Sequence, residues 1–327
     1  MWRSDLNQPS LANPRLWGSM SAPVSAVIVA YGNADVIAEL VRNVRTSDVV
    51  GEVVVIDHGD DGAADQAEEA GAIVARDPSN PGFGAGQNRG RLLSGGVYVL
   101  MLNPDAEIVS GALDVGVEYL ESHPEVGAVQ GIIENVDTGS PERSSGEELG
   151  WLHLVGRALG ARRLLSIHWL AAILARGTRF RDHVERVPSQ PTSVEALAAT
   201  AVLARRSVLD AIGGFDEQYF LYGEDLDLCR RMRSSGCDLV TLPVPWARHE
   251  SGGSSEGWWA RERWWWEGTM RYAAINWDNA AFAGALIAAA LQWIRMLVHQ
   301  PSGWSVAASS LLRQPLKVRR QRANSLN

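Results

Sequence analysis

Cysteine is nearly absent from this chain: only Cys229 and Cys237 occur among 327 residues, with no CxxC spacing. That excludes a disulfide scaffold and a thiolate metal centre, and it fits a reducing compartment. Residues 1–20 hold Trp2, Arg3, Asp5, Pro9, Pro14 and Gly18 but no apolar core, so the start reads as an N-terminal tail and not as a secretory signal. No glycine-lysine phosphate loop occurs. Acidic residues stop at Asp278, after which Arg295, Arg313, Lys317, Arg319, Arg320 and Arg322 set +6 against −14 for residues 1–278. An acidic body with a basic end argues against nucleic-acid binding and for docking to an anionic surface.

What is present is an ordinary globular composition, 46% hydrophobic and 21% charged, with thirteen tryptophans concentrated after Trp151. Indoles suit a boundary between water and an apolar phase, and they equally suit a packed core. The run from Ala280 to Val298 is apolar and rich in small residues, with Gln292 and Arg295 near its end. Its length just reaches a bilayer span, but its modest hydrophobicity favours an interfacial, in-plane helix, with a buried helix as the alternative.

The first half alternates strand and helix patterns. Val24 to Ala30 and Glu52 to Ile56 are buried strands, Ala72 to Ala75 is a short one and Val97 to Leu102 a strong one. Between them Ile37, Leu40, Val41 and Val44 mark one helix face, with further helices at Ala63 to Ala70 and near Gln87 to Leu93. This order predicts an α/β fold with a mostly parallel central sheet flanked by helices. Ligands bind beyond the carboxyl ends of such strands, where Tyr31, Asn33, Asp57, Asn103 and Asp105 gather.

The glycine-rich stretch from Asn80 to Gly90 follows the third strand, not the first, so it is a poor dinucleotide fingerprint. Its glycines permit close approach of a ligand to the backbone, with Asn88 and Arg89 on the helix beyond. Further on, Glu224, Asp225 and Asp227 open a helix, where the macrodipole favours all three. Residues at i and i+2 do not share a helix face, so at most one of Asp225 and Asp227 points well into a crevice.

Five ordered motifs carry a resemblance: Val27-Ile28-Val29-Ala30-Tyr31-Gly32-Asn33, Val55-Ile56-Asp57-His58-Gly59, Asn80-Pro81-Gly82-Phe83-Gly84, Leu102-Asn103-Pro104-Asp105, and Gly213-Gly214-Phe215-Asp216-Glu217 through Glu224-Asp225-Leu226-Asp227-Leu228. Together they resemble the family 2 glycosyltransferases of GT-A fold, closest to the bacterial rhamnosyltransferase-like branch, over about Val24 to Ser255.

The resemblance implies a nucleotide-diphospho-sugar transferase. Tyr31 and Asp57 would hold base and ribose, with Asn33, Gly82, Phe83, Asn88 and Asn103 on the donor side. Asp105, in the DxD position, would bind Mg²⁺ or Mn²⁺, with His249 as a second metal contact and Asp225 as general base. Asp227 would cap or pair, with Arg230 or Arg231. Glu224, Trp258 and Trp259 fall on the acceptor side. Asn103 and His58 depart from the family pattern, which has Asp and Asn there.

The implied reaction is single displacement with inversion, moving L-rhamnose from a dTDP donor to a polyprenyl-diphosphate-linked or growing cell-surface glycan. A UDP-hexose or UDP-N-acetylhexosamine transferase and a non-catalytic nucleotide-sugar-binding subunit are the alternatives. The expected organisation is an N-terminal tail over 1–20 and a catalytic domain over 21–265, with a helical insertion at about 150–190. A C-terminal helical, membrane-associating extension with a basic tail would cover 266–327. The expected location is cytoplasmic, at the inner face of the membrane, and a homodimer is left open.

Overall fold

The computed structural model describes residues 22–142, 144–158, 187–250, 258–299 and 309–325. The expected tail over 1–20, and Arg162, Arg163, Arg176, Arg179, Arg181 and Arg186 of the expected insertion, lie outside the described residues.

The chain begins β1 (Val24–Ala30), α1 (Ala34–Arg45), β2 (Val50–Asp57), α2 (Ala63–Glu69), β3 (Ile73–Arg76), α3 (Phe83–Leu93) and β4 (Tyr98–Leu102). It continues through β5 (Ala106–Ile108), α4 (Ala112–Ser122), β6 (Val126–Asn135), β7 (Ser140–Pro141), β8 (Ser145–Gly146) and α5 (Trp151–Ala158). After the undescribed segment come β9 (Thr192–Val194), β10 (Ala196–Leu197), β11 (Ala201–Arg205), α6 (Arg206–Ile212), α7 (Glu224–Ser234) and β12 (Asp238–His249). Helices α8 (Trp258–Asn276), α9 (Asn279–His299) and α10 (Gln314–Ser325) follow.

The main sheet has the order β3-β2-β1-β4-β11-β6-β12-β5. β1 pairs in parallel with β2 and β4, and β2 with β3, which is the parallel half read from the sequence. β11 lies antiparallel to both β4 and β6, so β6 and β12 return to the direction of β4. The carboxyl ends of β1, β2, β3, β4, β6 and β12 therefore share one edge of the sheet.

Continuous apolar runs make β1 and β4 buried along their whole length, as central strands covered on both faces must be. The stripe Ile37, Leu40, Val41 and Val44 of α1 is buried against one face with α4 residues Leu113, Val117 and Leu120. The other face takes α3 through Phe83, α6 through Leu209 and α7 through Leu228, Cys229 and Met232, with Phe215 of the loop between α6 and α7.

The glycine-rich stretch is mostly not a loop. It is the first two turns of α3, and its glycines let the helix lie directly on β1. A Cβ on Gly90 would stand 2.2 Å from Val27 Cγ1, and one on Gly86 2.8 Å from Val29 Cγ2. The smallness of these two residues serves helix–sheet contact.

The C-terminal helices build a second core around Trp266, Met270, Tyr272, Phe282 and Leu311. α8 runs continuously across residue 265, where the domain boundary was expected. Buried Glu262 organises this region: its Oε1 accepts from Trp266 Nε1 at 3.0 Å, from Arg157 Nε at 3.2 Å and from Gln292 Nε2 at 3.3 Å. α9 buries Phe282, Ala285, Ala288, Ala289 and Gln292, while Ile287 and Ile294 face outward at 62% and 54% exposure. No described helix is long and apolar enough to cross a membrane. The basic end is not wholly a solvated run, because Arg319 donates to the carbonyls of Ala274 and Trp277 at the end of α8 and lies over the Phe282 ring.

Candidate active site

At the shared edge, Asp57 ends β2 as a buried carboxylate whose Oδ1 accepts the Gly59 N–H at 2.9 Å. Tyr31 follows β1 with 53% of its surface open, a free ring face for stacking. Asn33 turns back instead, its Oδ1 accepting the Tyr31 N–H at 2.8 Å, so it shapes the loop. His58 is buried and structural: its Nδ1–H donates to the Asp77 carbonyl at 2.8 Å and its N–H to the Ala30 carbonyl at 2.9 Å.

The register of β5 against β12 brings together two residues far apart in sequence. Ala106 pairs with His249, so Asp105, one residue earlier, meets the imidazole. His249 Nε2 lies 3.2 Å from Asp105 Oδ1, and Nδ1 lies 2.8 Å from Glu142 Oε2. Burial disfavours the imidazolium, but hydrogen bonding and charge from Asp105, then Glu142, outweigh it and push the pKa up to about 9. Glu142 carries no motif in the sequence. It follows the two-residue β7 and reaches the site because Asn135, at the end of β6, also holds its Oε1 at 2.9 Å.

Among the described residues, no group of three or more His, Cys, Asp or Glu is arranged to hold a metal. The chemistry of the donor pair nevertheless fits a divalent cation. Glu142 takes the Nδ1–H and, with the raised pKa, Nε2 carries a proton toward Asp105 Oδ1; displacement of that proton on cation binding would leave an imidazole–carboxylate donor pair. A substrate diphosphate would complete the oxygen shell that Mg²⁺ or Mn²⁺ requires.

Helix α7 opens with Glu224, Asp225 and Asp227, as the sequence indicates. The three carboxylates separate by environment. Asp227 is buried and paired: its Oδ2 accepts from Arg231 Nε at 2.6 Å, and the same guanidinium holds the carbonyls of Ile212 and Gly214. Arg230 is engaged elsewhere, with Glu148 at 2.5 Å. Glu224 is buried and its Oε2 has no hydrogen-bond partner among the described residues, while Asp225 keeps part of its surface open. Burial raises both pKa values; Glu224 is raised further by the charge of Asp225, and Asp225 is held back by backbone N–H groups, that of Ala199 included. The neighbouring Thr200 carbonyl accepts the Asn103 N–H at 2.9 Å. One short segment, Ala199-Thr200, thus connects the two halves.

Asn88 is committed inside the fold. Its Nδ2 donates to the Phe215 carbonyl at 3.0 Å and to Glu217 Oε1 at 2.9 Å, and its Oδ1 accepts the Phe215 N–H at 2.8 Å. Gly82 and Phe83 meet the same loop: the Phe83 N–H donates to the Phe220 carbonyl at 3.1 Å, and a Cβ on Gly82 would stand 2.3 Å from that oxygen. Asn88→Ala is expected to lower stability by about 2–3 kcal/mol, the order for leaving several buried polar partners unpaired. Urea unfolding measures it.

α8 presses on the loop before the acidic helix. A Cβ on Gly268 would stand only 1.7 Å from the Tyr222 carbonyl oxygen, so backbone touches backbone there. Tyr222 itself sits at φ 66°, the left-handed region that favours glycine. Trp264 packs on Phe220 at 5.3 Å, and Glu148 takes the Tyr272 hydroxyl together with Arg230 and Arg233, tying α7 to α8. Trp258 and Trp259 open α8; their side chains lie outside the described residues.

Asp57 at the end of β2, the paired Asp105 and His249, and the acidic start of α7 are thus the chemistry-bearing groups of a mixed α/β sheet. The sequence profile described as "Glycosyltransferase like family 2" matches residues 22–267, and the chain belongs to that family. It is 29% identical over 162 residues to the N-acetylglucosaminyl-diphospho-decaprenol L-rhamnosyltransferase of Mycobacterium tuberculosis, covering 48% of each chain. It is 34% identical over 84 residues to the rhamnosyltransferase WbbL of Escherichia coli, 25% of this chain and 32% of the relative. The chain thus matches about half the length, or less, of these curated relatives. Its fold is similar to the mannosyltransferase PcManGT of Pyrobaculum calidifontis in complex with GDP-Man and Mn²⁺ (TM-score 0.53, 15% identity, 94% of this chain and 82% of that one). It is also similar to S. aureus TarS 1-349 (TM-score 0.52, 16% identity, 93% and 82%).

Proposed function

We propose that this chain is an inverting, metal-dependent glycosyltransferase that moves L-rhamnose from dTDP-rhamnose to a polyprenyl-diphosphate-linked saccharide. The observation that supports the reading is the segment Ala199-Thr200, which bonds to Asp225 through the Ala199 N–H and to Asn103 through the Thr200 carbonyl. Asp57 and Tyr31 take the nucleoside; Asp105 and His249 hold the cation. When bound, the cation offsets the charge that builds on the leaving nucleoside diphosphate. Asp225 accepts the proton of the acceptor hydroxyl as it attacks the anomeric carbon, which a carboxylate within hydrogen-bond reach can do. Burial strengthens Asp225 as a base by raising its pKa. The rhamnosyl donor and the lipid-linked acceptor rest on the two curated rhamnosyltransferases. Docking to the inner membrane face is supported by the outward Ile287 and Ile294 of α9 and the basic end of the chain.

A thermal-shift panel of TDP, UDP and GDP sugars, with and without Mn²⁺, tests the donor. The expected result is a metal-dependent rise in melting temperature with dTDP-rhamnose. A rise with GDP-mannose alone would sink the rhamnose reading, and a rise with UDP-N-acetylglucosamine alone would favour a hexosaminyl transferase. His249→Ala is expected to raise the Mn²⁺ concentration needed for half-maximal shift by at least about 10- to 100-fold, the range for losing even an outer-shell partner of a metal.

A further inference from the structure

One stripe of α8 faces the loop that precedes the acidic helix. Arg261, Trp264, Gly268 and Arg271 recur at helical spacing and share a face. Three of the four have partners in that loop. Arg271 Nη2 donates to Asp216 at 3.0 Å and the guanidinium lies over Tyr219, Trp264 packs on Phe220, and Gly268 touches Tyr222. Arg261 is the fourth, about 10 Å nearer the start of the helix than Gly268. It is half-buried, and among the described residues it makes no hydrogen bond or ion pair. Its neighbour Arg157, by contrast, is neutralised by Glu262.

The Gly268–Tyr222 contact sets this stripe of α8 beside Tyr222, just before the acidic helix. The charges of Arg261, Glu224, Asp105 and Arg157 all reach the Tyr222 phenol, in keeping with that placement. A half-buried guanidinium lacking a carboxylate partner is costly unless an anion meets it, and its planar fork suits phosphate oxygens better than an ammonium does. We propose that Arg261 binds the phosphate oxygens of a substrate diphosphate, with the Tyr222 hydroxyl as a neighbouring donor. This deepens the transferase reading above and rests on it. Two substrates of that reaction carry a diphosphate, the nucleotide sugar and the lipid-linked acceptor.

Arg261→Gln and Arg261→Lys test the proposal. Arg261→Gln breaks no hydrogen bond or ion pair among the described residues, so its thermal unfolding should stay close to that of the unaltered chain, and Arg261→Lys keeps the charge as a second variant. Three readouts are compared: calorimetric affinity for dTDP with Mn²⁺, affinity for inorganic pyrophosphate, and KM for a diphosphate-linked acceptor against the same saccharide on a neutral aglycone. The expected result for Arg261→Gln is a 10- to 100-fold loss, of the order of a charge-assisted hydrogen bond of about 1.5–3 kcal/mol, partly restored in Arg261→Lys. A loss in dTDP affinity identifies the donor diphosphate as the ligand. A rise in KM confined to the diphosphate-linked acceptor identifies the acceptor. If all three readouts stay within about twofold of the unaltered chain, the proposal is overturned. Should the unaltered chain bind no nucleotide, the transferase reading fails, and the pyrophosphate titration still decides the role of Arg261.

Discussion

Asp225→Asn is expected to lower kcat by about 10³-fold, in the middle of the range for removing a general base, while the affinity for the nucleotide sugar stays near that of the unaltered chain. The amide keeps the shape of the carboxylate, so the hydrogen bond from the Leu226 N–H can persist and the loss reports proton transfer. Asp227→Asn is the matched comparison. It weakens the pair with Arg231 and the anchoring of the Gly213-Gly214 turn, so it should cost stability and retain most of kcat. Near-normal transfer in Asp225→Asn with loss in Asp227→Asn would assign the base to the wrong carboxylate.

Burial raises the pKa of Asp225, so the protonated acid, which cannot accept a proton, persists above the usual carboxylate range. Activity should therefore rise with pH through that raised value, and Asp225→Asn should abolish this limb of the kcat/KM profile. Stability moves the other way. The folded chain holds the protons of Glu224 and Asp225 more tightly than the unfolded chain does, so these two groups lower stability as pH rises from the ordinary carboxylate pKa through the raised ones.

The second large effect is expected at Gly268. The added methyl of Gly268→Ala would meet the carbonyl oxygen and carbon of Tyr222 at 1.7 and 2.6 Å, and both are backbone atoms that no rotamer change can move. Helix α8 must then shift away from the loop carrying Tyr222 into Glu224 and Asp225. Stability should fall by about 3 kcal/mol, toward the upper end for overpacking. Transfer should fall by about 10²-fold beyond that, the order for displacing a reacting group by an ångström. Urea unfolding and kcat at a temperature where the variant is folded separate the two. Unchanged values in both would mean that α8 does not brace the acidic helix.

Much of the frame was legible because it depends on local pattern. The apolar runs of β1 and β4 and the stripe of α1 lie where period and burial put them, and Asp57 and Asp105 follow strand ends as read. The i,i+2 spacing put Asp225 and Asp227 on different faces, and Asp227 pairs with Arg231; the choice of Asp225 as base came from the family resemblance alone. Other features required tertiary information. Glycine's low helix propensity made the stretch after Asn80 look like a loop, yet contact with β1 stabilises it as α3. Asn88 looked like a ligand contact because its partners, Phe215 and Glu217, are distant in sequence. Glu142 and Arg261 carry no motif at all. The first reaches the site by the pairing of β7 with β6, the second by the docking of α8 on the loop ending at Tyr222.

The central claim, that these segments form one crevice for inverting sugar transfer, is tested most directly by the anomeric configuration of the product. Nuclear magnetic resonance of a saccharide made from dTDP-rhamnose, Mn²⁺ and a polyprenyl-diphosphate-linked acceptor should give the new linkage in the configuration opposite to that of the donor. A product that retains the donor configuration, or no consumption of any TDP, UDP or GDP sugar, would contradict it.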